Sequence, residues 1–215
     1  MISILECTGQ YLLEVGCGLG TDLRQFARLG AKVVAIDLSK SNALISKRGL
    51  EVYELEGEVL VADAENLPFR DSSFNIVYSF GVLHHTPNTQ RAINEIYRTL
   101  KQGGGTLTML YHKGLAYYWI ILRHGILSLE LLQLPMEKLI SKRYDHTPLS
   151  KMYTRRQAKR LFRQFSQVKL ECLNFGGIQE HPQLKKLWKL YTISPILEKM
   201  LGSFLIISAK KELQK

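Results

Sequence analysis

Three glycines at alternate positions, Gly16, Gly18 and Gly20, close the apolar run Leu12-Leu13-Glu14-Val15, with Cys17 and Leu19 in the gaps between them. An amphipathic pattern follows from Thr21. A strand that breaks into a glycine turn and then a helix lets backbone come close to a ligand. Charge decides which ligand. A dinucleotide brings a pyrophosphate that seeks bare N–H groups at a helix N-terminus, and its fingerprint places the third glycine where this chain has Thr21. Glu14 stands two places before the first glycine, where a carboxylate repels phosphate and attracts a cation. The turn therefore suits a cationic ligand over one that brings a phosphate.

Two further carboxylates stand at useful distances. Asp37 ends the apolar run Lys32–Ile36, 21 positions after Gly16, the spacing at which an acidic residue accepts ribose hydroxyls. Its competing reading is a cap for the helix after Ser39. Asp63 ends Val59-Leu60-Val61-Ala62 and is followed by Ala64, then Leu67-Pro68-Phe69, Asp71 and Phe74. Further on, Phe74–Phe80 reads as a strand that turns out through Gly81-Val82-Leu83-His84-His85-Thr86, and Leu100-Lys101-Gln102-Gly103-Gly104-Gly105 reads as a glycine turn into another strand.

Acidic-x-Gly-x-Gly-x-Gly at the end of a first strand resembles motif I of the class I S-adenosylmethionine-dependent methyltransferases. The Asp63 segment resembles that family's third-strand motif, and Phe74–Thr86 its fourth strand with the Leu-His-His that follows. Asn75 stands where aspartate is usual, and Gln102 where proline is usual. The motifs cover about residues 11 to 111. On them the chain is identified as a member of the methyltransferase type 11 group, which includes the ubiquinone and menaquinone C-methyltransferases. The resemblance implies S-adenosyl-L-methionine as cofactor and S-adenosyl-L-homocysteine as product. It places Glu14, Gly16, Cys17, Gly18, Gly20, Asp37, Leu38, Asp63, Ala64, Phe80 and His85 against that cofactor, with Asp63 taking the adenine amino group. The acceptor is read as small, and as hydrophobic where the apolar stretch within residues 112–153 covers it as a lid.

Methyl transfer asks little of side chains, because the sulfonium is already activated and near-attack positioning supplies most of the acceleration. A base is needed where the acceptor must lose a proton. His85, His84 and His112 are the candidate bases, with Tyr111 and Tyr153 as orienting hydroxyls, and His85 is the candidate catalytic residue because it follows the fourth strand at the ligand rim. Two alternatives within the same cofactor chemistry are a cofactor-binding module without catalysis and an RNA-directed methyltransferase. A nicotinamide-dependent oxidoreductase is disfavoured by Thr21 and the Asp63 segment.

Alternating strand and helix signals must position these residues, and they predict an α/β fold: a Rossmann-like, doubly wound, seven-stranded, mostly parallel sheet. Strands are predicted at Tyr11–Val15, Lys32–Ile36, Glu58–Ala62, Asn75–Phe80, Thr106–Tyr111, Gln167–Asn174 and Ser203–Lys210. The resemblance makes the last strand antiparallel and inserts it between the fifth and sixth. Helices are predicted over Thr21–Leu29, Ser41–Arg48 and Thr89–Leu100, the second stopped by Gly49.

The 215 residues suit one domain. Residues 112–153 form a helical insertion, either completing the core or covering the acceptor as a lid built from Tyr117–Leu122, Ile126, Leu127, Leu129, Leu131, Leu132 and Leu134. Arg123, His124 and Glu130 interrupt it short of a membrane span. The glycine turn begins almost at the N-terminus, so either the chain is a fragment or a shortened form, or another segment supplies the cover. Cys7, Cys17 and Cys172 have no metal-like spacing and no leader opens the chain, which together read as a reduced, cytoplasmic protein without a metal.

Charge is uneven. Residues 1–100 hold 9 Lys and Arg against 12 Asp and Glu, and the remainder carries the excess behind the net +10. Arg155, Arg156, Lys159, Arg160 and Arg163 lie on a helix capped by Thr154, their cations opposite Ala158, Leu161, Phe162 and Phe165. This reads as a solvated face. A small-molecule partner is favoured over nucleic acid, and peripheral membrane contact stays open.

Overall fold

In the computed structural model, residues 7–114, 117–118, 121–122, 134–142, 147–173 and 202–213 are described. The chain builds β1 (Tyr11–Val15), α1 (Thr21–Arg28), β2 (Lys32–Asp37), α2 (Lys40–Val52), β3 (Gly57–Val61), β4 (Phe74–Phe80), a 3₁₀ turn (Leu83–His85), α3 (Thr89–Thr99), β5 (Leu100–Tyr111), α4 (Met136–Ile140), α5 (Arg155–Leu161), β6 (Ser166–Leu173) and β7 (Phe204–Lys210). One seven-stranded sheet runs in the order β3-β2-β1-β4-β5-β7-β6. Pairs among β1 to β5 are parallel, and β7 is antiparallel to both β5 and β6. The expected doubly wound architecture and the inserted antiparallel strand are both present. The strand order reverses between β1 and β4, so their carboxyl ends open a crevice for a ligand.

Two apolar layers hold the sheet. On one face Leu23 and Phe26 of α1 and Leu50 of α2 pack against Leu12, Val33, Ala35 and Tyr78. On the other, Ala92, Ile93 and Ile96 of α3 and Ala158 and Phe162 of α5 pack on Leu13, Val77, Leu205 and Ile207. The apolar positions predicted opposite the Arg155–Arg163 cations, Ala158, Leu161, Phe162 and Phe165, are those that pack into this layer. Thr154 and Gln157 form a reciprocal capping box at the start of α5, satisfying two orphan backbone donors. Arg156, Lys159, Arg160 and Arg163 point to solvent, while Arg155 turns back to donate to the Leu170 carbonyl and Cys172 Sγ.

Three sequence expectations change. Gly49 does not stop α2, which continues to Val52, and the Arg24 side chain of α1 lies over it. Strand β5 begins at Leu100, before the glycines, and a register shift against β4 between Phe74 and Ile76 takes up the irregularity. Ser39, not Asp37, is the N-cap of α2. Of the expected cover, Trp119, Ile120, Ile126, Leu127, Leu129, Leu131 and Leu132 lie outside the described residues, as does Asn174. Its described part gathers Tyr117, Ile140 and Met152 into a small cluster against Tyr111, Ile121 and Met136. Among the described residues no helix is long and apolar enough to cross a membrane.

Candidate active site

The glycine turn is shaped by what surrounds each glycine. All three have positive φ: Gly16 at 80°, Gly18 at 52° and Gly20 at 72°, a region that costs an L-residue about 1–2 kcal/mol. A Cβ on Gly16 would stand 2.2 Å from Val82 Cγ2, and one on Gly20 would stand 2.3 Å from Ser46 Oγ. The same atom on Gly18 would meet nothing within 4 Å. The outer glycines are therefore packed against protein, and the middle one faces open space beside the carboxyl ends of the strands. Cys17, between them, is buried, and burial pushes its thiol up to about 11. It fills space there rather than reacting.

Asp37 ties this turn to the next strand. Its Oδ2 accepts the Gly18 N–H at 2.8 Å and its Oδ1 accepts the Ser39 N–H at 2.8 Å. Asn42 Nδ2 also donates to Oδ1, at 3.4 Å, so of about four lone-pair sites on a carboxylate one is left for a hydroxyl, and a second hydroxyl would replace the long Asn42 contact. Glu14 is 4% exposed at the end of β1, and its Oε2 has no hydrogen-bond partner. Burial first, then the charges of Asp22 and Asp37, hold its carboxyl up at about 8. A buried carboxylate without a partner is costly, and a cation arriving at the turn would relieve that cost. Asp22, on the first turn of α1, accepts the Tyr78 hydroxyl at 2.7 Å and joins this acidic group. Sequence reasoning missed Asp22, because an acid there reads as a partner of the helix dipole.

The remaining predicted positions line the same rim. Leu38 is 75% exposed just beyond β2, and Phe80 is 38% exposed at the end of β4, stacked on Tyr78. Asp63 is exposed beyond β3 and accepts the Glu65 N–H, whereas the Ala64 side chain is buried in the core with Leu67. The loop after Asp63 is pinned by Arg98, which donates to the Leu67 and Phe69 carbonyls, to Asp71 and to both oxygens of Glu95. A cleft of about 830 Å³ lined by Tyr11, Lys32, Glu54, Glu56 and Glu58 lies at the opposite end of the strands, away from these groups.

The candidate bases separate. His84 is fully buried and stacked on Tyr111 with ring centroids 3.6 Å apart; burial drives it well below the usual imidazole range, so it stays neutral. His112 is tied to the Gly202 carbonyl at 2.6 Å and is buried at the end of β5. The Tyr153 hydroxyl donates to Thr89 Oγ1. His85 is half-buried, and its Nδ1 lies 2.7 Å from the Leu149 carbonyl. No group of His, Cys, Asp or Glu among the described residues is placed to hold a metal.

Comparison with known proteins agrees with this geometry. Residues 13–108 match the family model described as Methyltransferase domain. Phosphoethanolamine N-methyltransferase 2 of Caenorhabditis elegans is 36% identical over 108 residues, 49% of this chain and 25% of that protein. Cycloartenol-C-24-methyltransferase of Arabidopsis thaliana is 38% identical over 100 residues, 44% of this chain and 29% of that protein. The chain thus spans less than a third of the length of these relatives. Among solved structures, phosphoethanolamine N-methyltransferase 2 of Haemonchus contortus, in complex with S-adenosyl-L-methionine, superposes with a TM-score of 0.67 at 22% identity. That superposition covers 96% of this chain and 49% of the other.

Proposed function

We propose that this chain, whose residues 13–108 match the methyltransferase domain family, is a class I S-adenosylmethionine-dependent methyltransferase that binds that cofactor at the Gly16–Gly20 turn and passes its methyl group to a small acceptor. One observation carries the reading: only the middle glycine of the turn faces open space, its N–H is bonded to Asp37, and the strand leading into the turn holds the buried, unpartnered oxygen of Glu14. The cofactor has a ribose for Asp37, a purine for Asp63 with Leu38 and Phe80 beside the ring, and a cationic amino acid end for Glu14. It brings no phosphate to be repelled.

The chemistry follows from position. The acceptor attacks the methyl carbon in line with the departing sulfur, and holding the two in near-attack geometry supplies most of the acceleration. One relative named above is a phosphoethanolamine N-methyltransferase and the other a cycloartenol C-24-methyltransferase, which supports a small-molecule acceptor. The finer likeness to the ubiquinone and menaquinone enzymes is part of the same proposal. In this reading one domain spans the chain, and residues 112–153 cover the acceptor, with the Tyr117, Ile140 and Met152 cluster as the apolar underside of that cover.

Calorimetry with S-adenosylmethionine, S-adenosylhomocysteine and NAD tests the cofactor, and transfer of labelled methyl to a panel of amines, phenols and sterols tests catalysis. Binding of the first two compounds without NAD, followed by transfer, supports the reading. Preference for NAD would overturn it, and cofactor binding without transfer to any acceptor would leave a binding module.

A further inference from the structure

The segment that follows β4 joins three parts of the fold. At its start, Val82 packs against the glycine turn, its side chain filling the place that a Cβ on Gly16 would take. In its middle, the Thr86 and Pro87 carbonyls accept Lys151 Nζ at 3.0 and 2.6 Å, and the His84 carbonyl accepts the Lys151 N–H at 3.0 Å. At its end, the Asn88 N–H donates to the carboxylate of Glu65, two residues beyond Asp63. Thr89 Oγ1 accepts the Tyr153 hydroxyl at 2.8 Å.

Bonds inside the segment make it one piece. The Val82 carbonyl accepts the His85 N–H at 2.9 Å. The Leu83 carbonyl accepts two hydroxyls, Thr86 at 2.8 Å and Thr89 at 3.0 Å, above a fully buried Leu83 side chain. Packed side chains and hydrogen bonds in a continuous chain can carry coupling from one site to another. Beyond the segment lies a strap, residues 151–153, on which the 112–153 stretch returns to the fold before the Thr154 cap of α5. Its ties to the sheet are few. The Tyr153 N–H donates to the Tyr111 carbonyl at 2.8 Å, the Tyr153 carbonyl accepts the Lys113 N–H at 3.0 Å, and the bridge between His112 and Tyr153 is isolated. An element held this way opens locally at less cost than the core strands, so its seating responds to what it leans on.

We propose that Lys151 is a positioning residue that ties this strap to the segment after β4, so that cofactor at the glycine turn and the strap at the end of the acceptor cover are stabilised together. By linkage the two effects are equal. The factor by which the cofactor firms the strap is the factor by which a seated strap raises cofactor affinity. The acceptor then meets its firmest cover when the methyl donor is already in place, and binding with the donor first is favoured.

This inference rests on the methyl-transfer reading and is tested on the full chain, with S-adenosylhomocysteine as the probe. Hydrogen exchange follows the Lys113, Lys151 and Tyr153 amides. Saturating compound should slow them about fivefold or more, the lower end of couplings between sites. Lys151→Met keeps an apolar stem without the donors; it should lose that slowing and bind the compound more weakly by the same factor. Lys151→Arg keeps donors for both carbonyls and should restore both. A purely structural lysine would behave differently: the methionine variant would exchange faster with and without compound alike, at unchanged affinity, and that result overturns the inference. Wild-type amides indifferent to bound compound overturn it too, and this comparison with the arginine variant decides the matter if Lys151→Met does not fold. Calorimetry on the same samples separates the two failures. A chain that does not bind the compound sinks the methyl-transfer reading, whereas binding without slowed exchange sinks this inference alone.

Discussion

The carboxylate of Asp37 grips the backbone of Gly18, Oδ2 accepting its N–H at 2.8 Å across 19 residues of sequence. The tip of β2 thereby fixes the only glycine of the turn that faces open space, and one side chain both builds the site and offers it lone pairs. Asp37→Ala removes both contributions. It should weaken S-adenosylmethionine binding by about tenfold or more, each lost charged hydrogen bond being worth about 1.5–3 kcal/mol. The two orphaned N–H groups should lower the melting temperature as well. Calorimetry beside a thermal melt measures the pair of effects, and unchanged affinity would remove Asp37 from the ribose role.

Gly20 and Gly18 should fail in different ways when changed to alanine. Gly20→Ala places a methyl on Ser46 Oγ and adds the strain of a positive φ, so the loss should be mainly of stability. A Gly20→Ala, Ser46→Gly double variant should recover part of it. Gly18→Ala adds the strain alone, about 1–2 kcal/mol, and sets its methyl in the open space. It should stay folded and lose cofactor binding. Melting and binding curves for the set distinguish the two outcomes.

Glu14 makes binding depend on pH. Burial, with Asp22 and Asp37, holds its carboxyl up at about 8. Folded protein therefore keeps a proton that the unfolded chain releases near 4.5, and the stability this group contributes is full below 4.5 and lost as pH rises through 8. A cationic ligand favours the ionised form, so affinity should rise between pH 6 and 8 and binding should expel protons. Calorimetry near pH 7 in buffers of differing ionisation enthalpy measures that release. Glu14→Gln should abolish it and flatten the pH slope of stability.

Arg98 should matter to the site without reaching it. It holds the 67–71 loop through two carbonyls and two carboxylates, and truncating it leaves Glu95 bonded only to the Leu67 N–H. Arg98→Ala should cost about 2–3 kcal/mol, a fall in melting temperature of roughly 5–10 °C for a chain of this size. The Arg98 guanidinium beside Glu95 holds that carboxyl below its ordinary range. The contribution should therefore be present above pH 4.5 and fade as the pH falls, which acid titration of wild type and variant compares.

Much of this site is legible along the chain because its parts are local. The turn, Asp37 and Asp63 each sit at the end of a strand whose apolar run is contiguous, and spacing alone carries them to one rim. What sequence hides is pairing across distance. Asp22 joins Glu14 only because α1 folds back over β1, and its bond to Tyr78 spans 56 residues. The grip of residues 147–150 on His85 spans 62 to 65, and nothing in Thr147-Pro148-Leu149-Ser150 announces it. Gly49 misleads for the opposite reason. A glycine near a helix end usually terminates it, and here α2 runs on through it to Val52.

A crystal of this chain grown or soaked with S-adenosylhomocysteine tests the central claim most directly. The account predicts density along the carboxyl ends of β1 to β4, with the ribose on Asp37, the purine beside Asp63 and the amino acid end running past Gly18 toward Glu14. An empty rim, or the compound bound in the cleft at the other end of the sheet between Lys32 and Glu58, would contradict it.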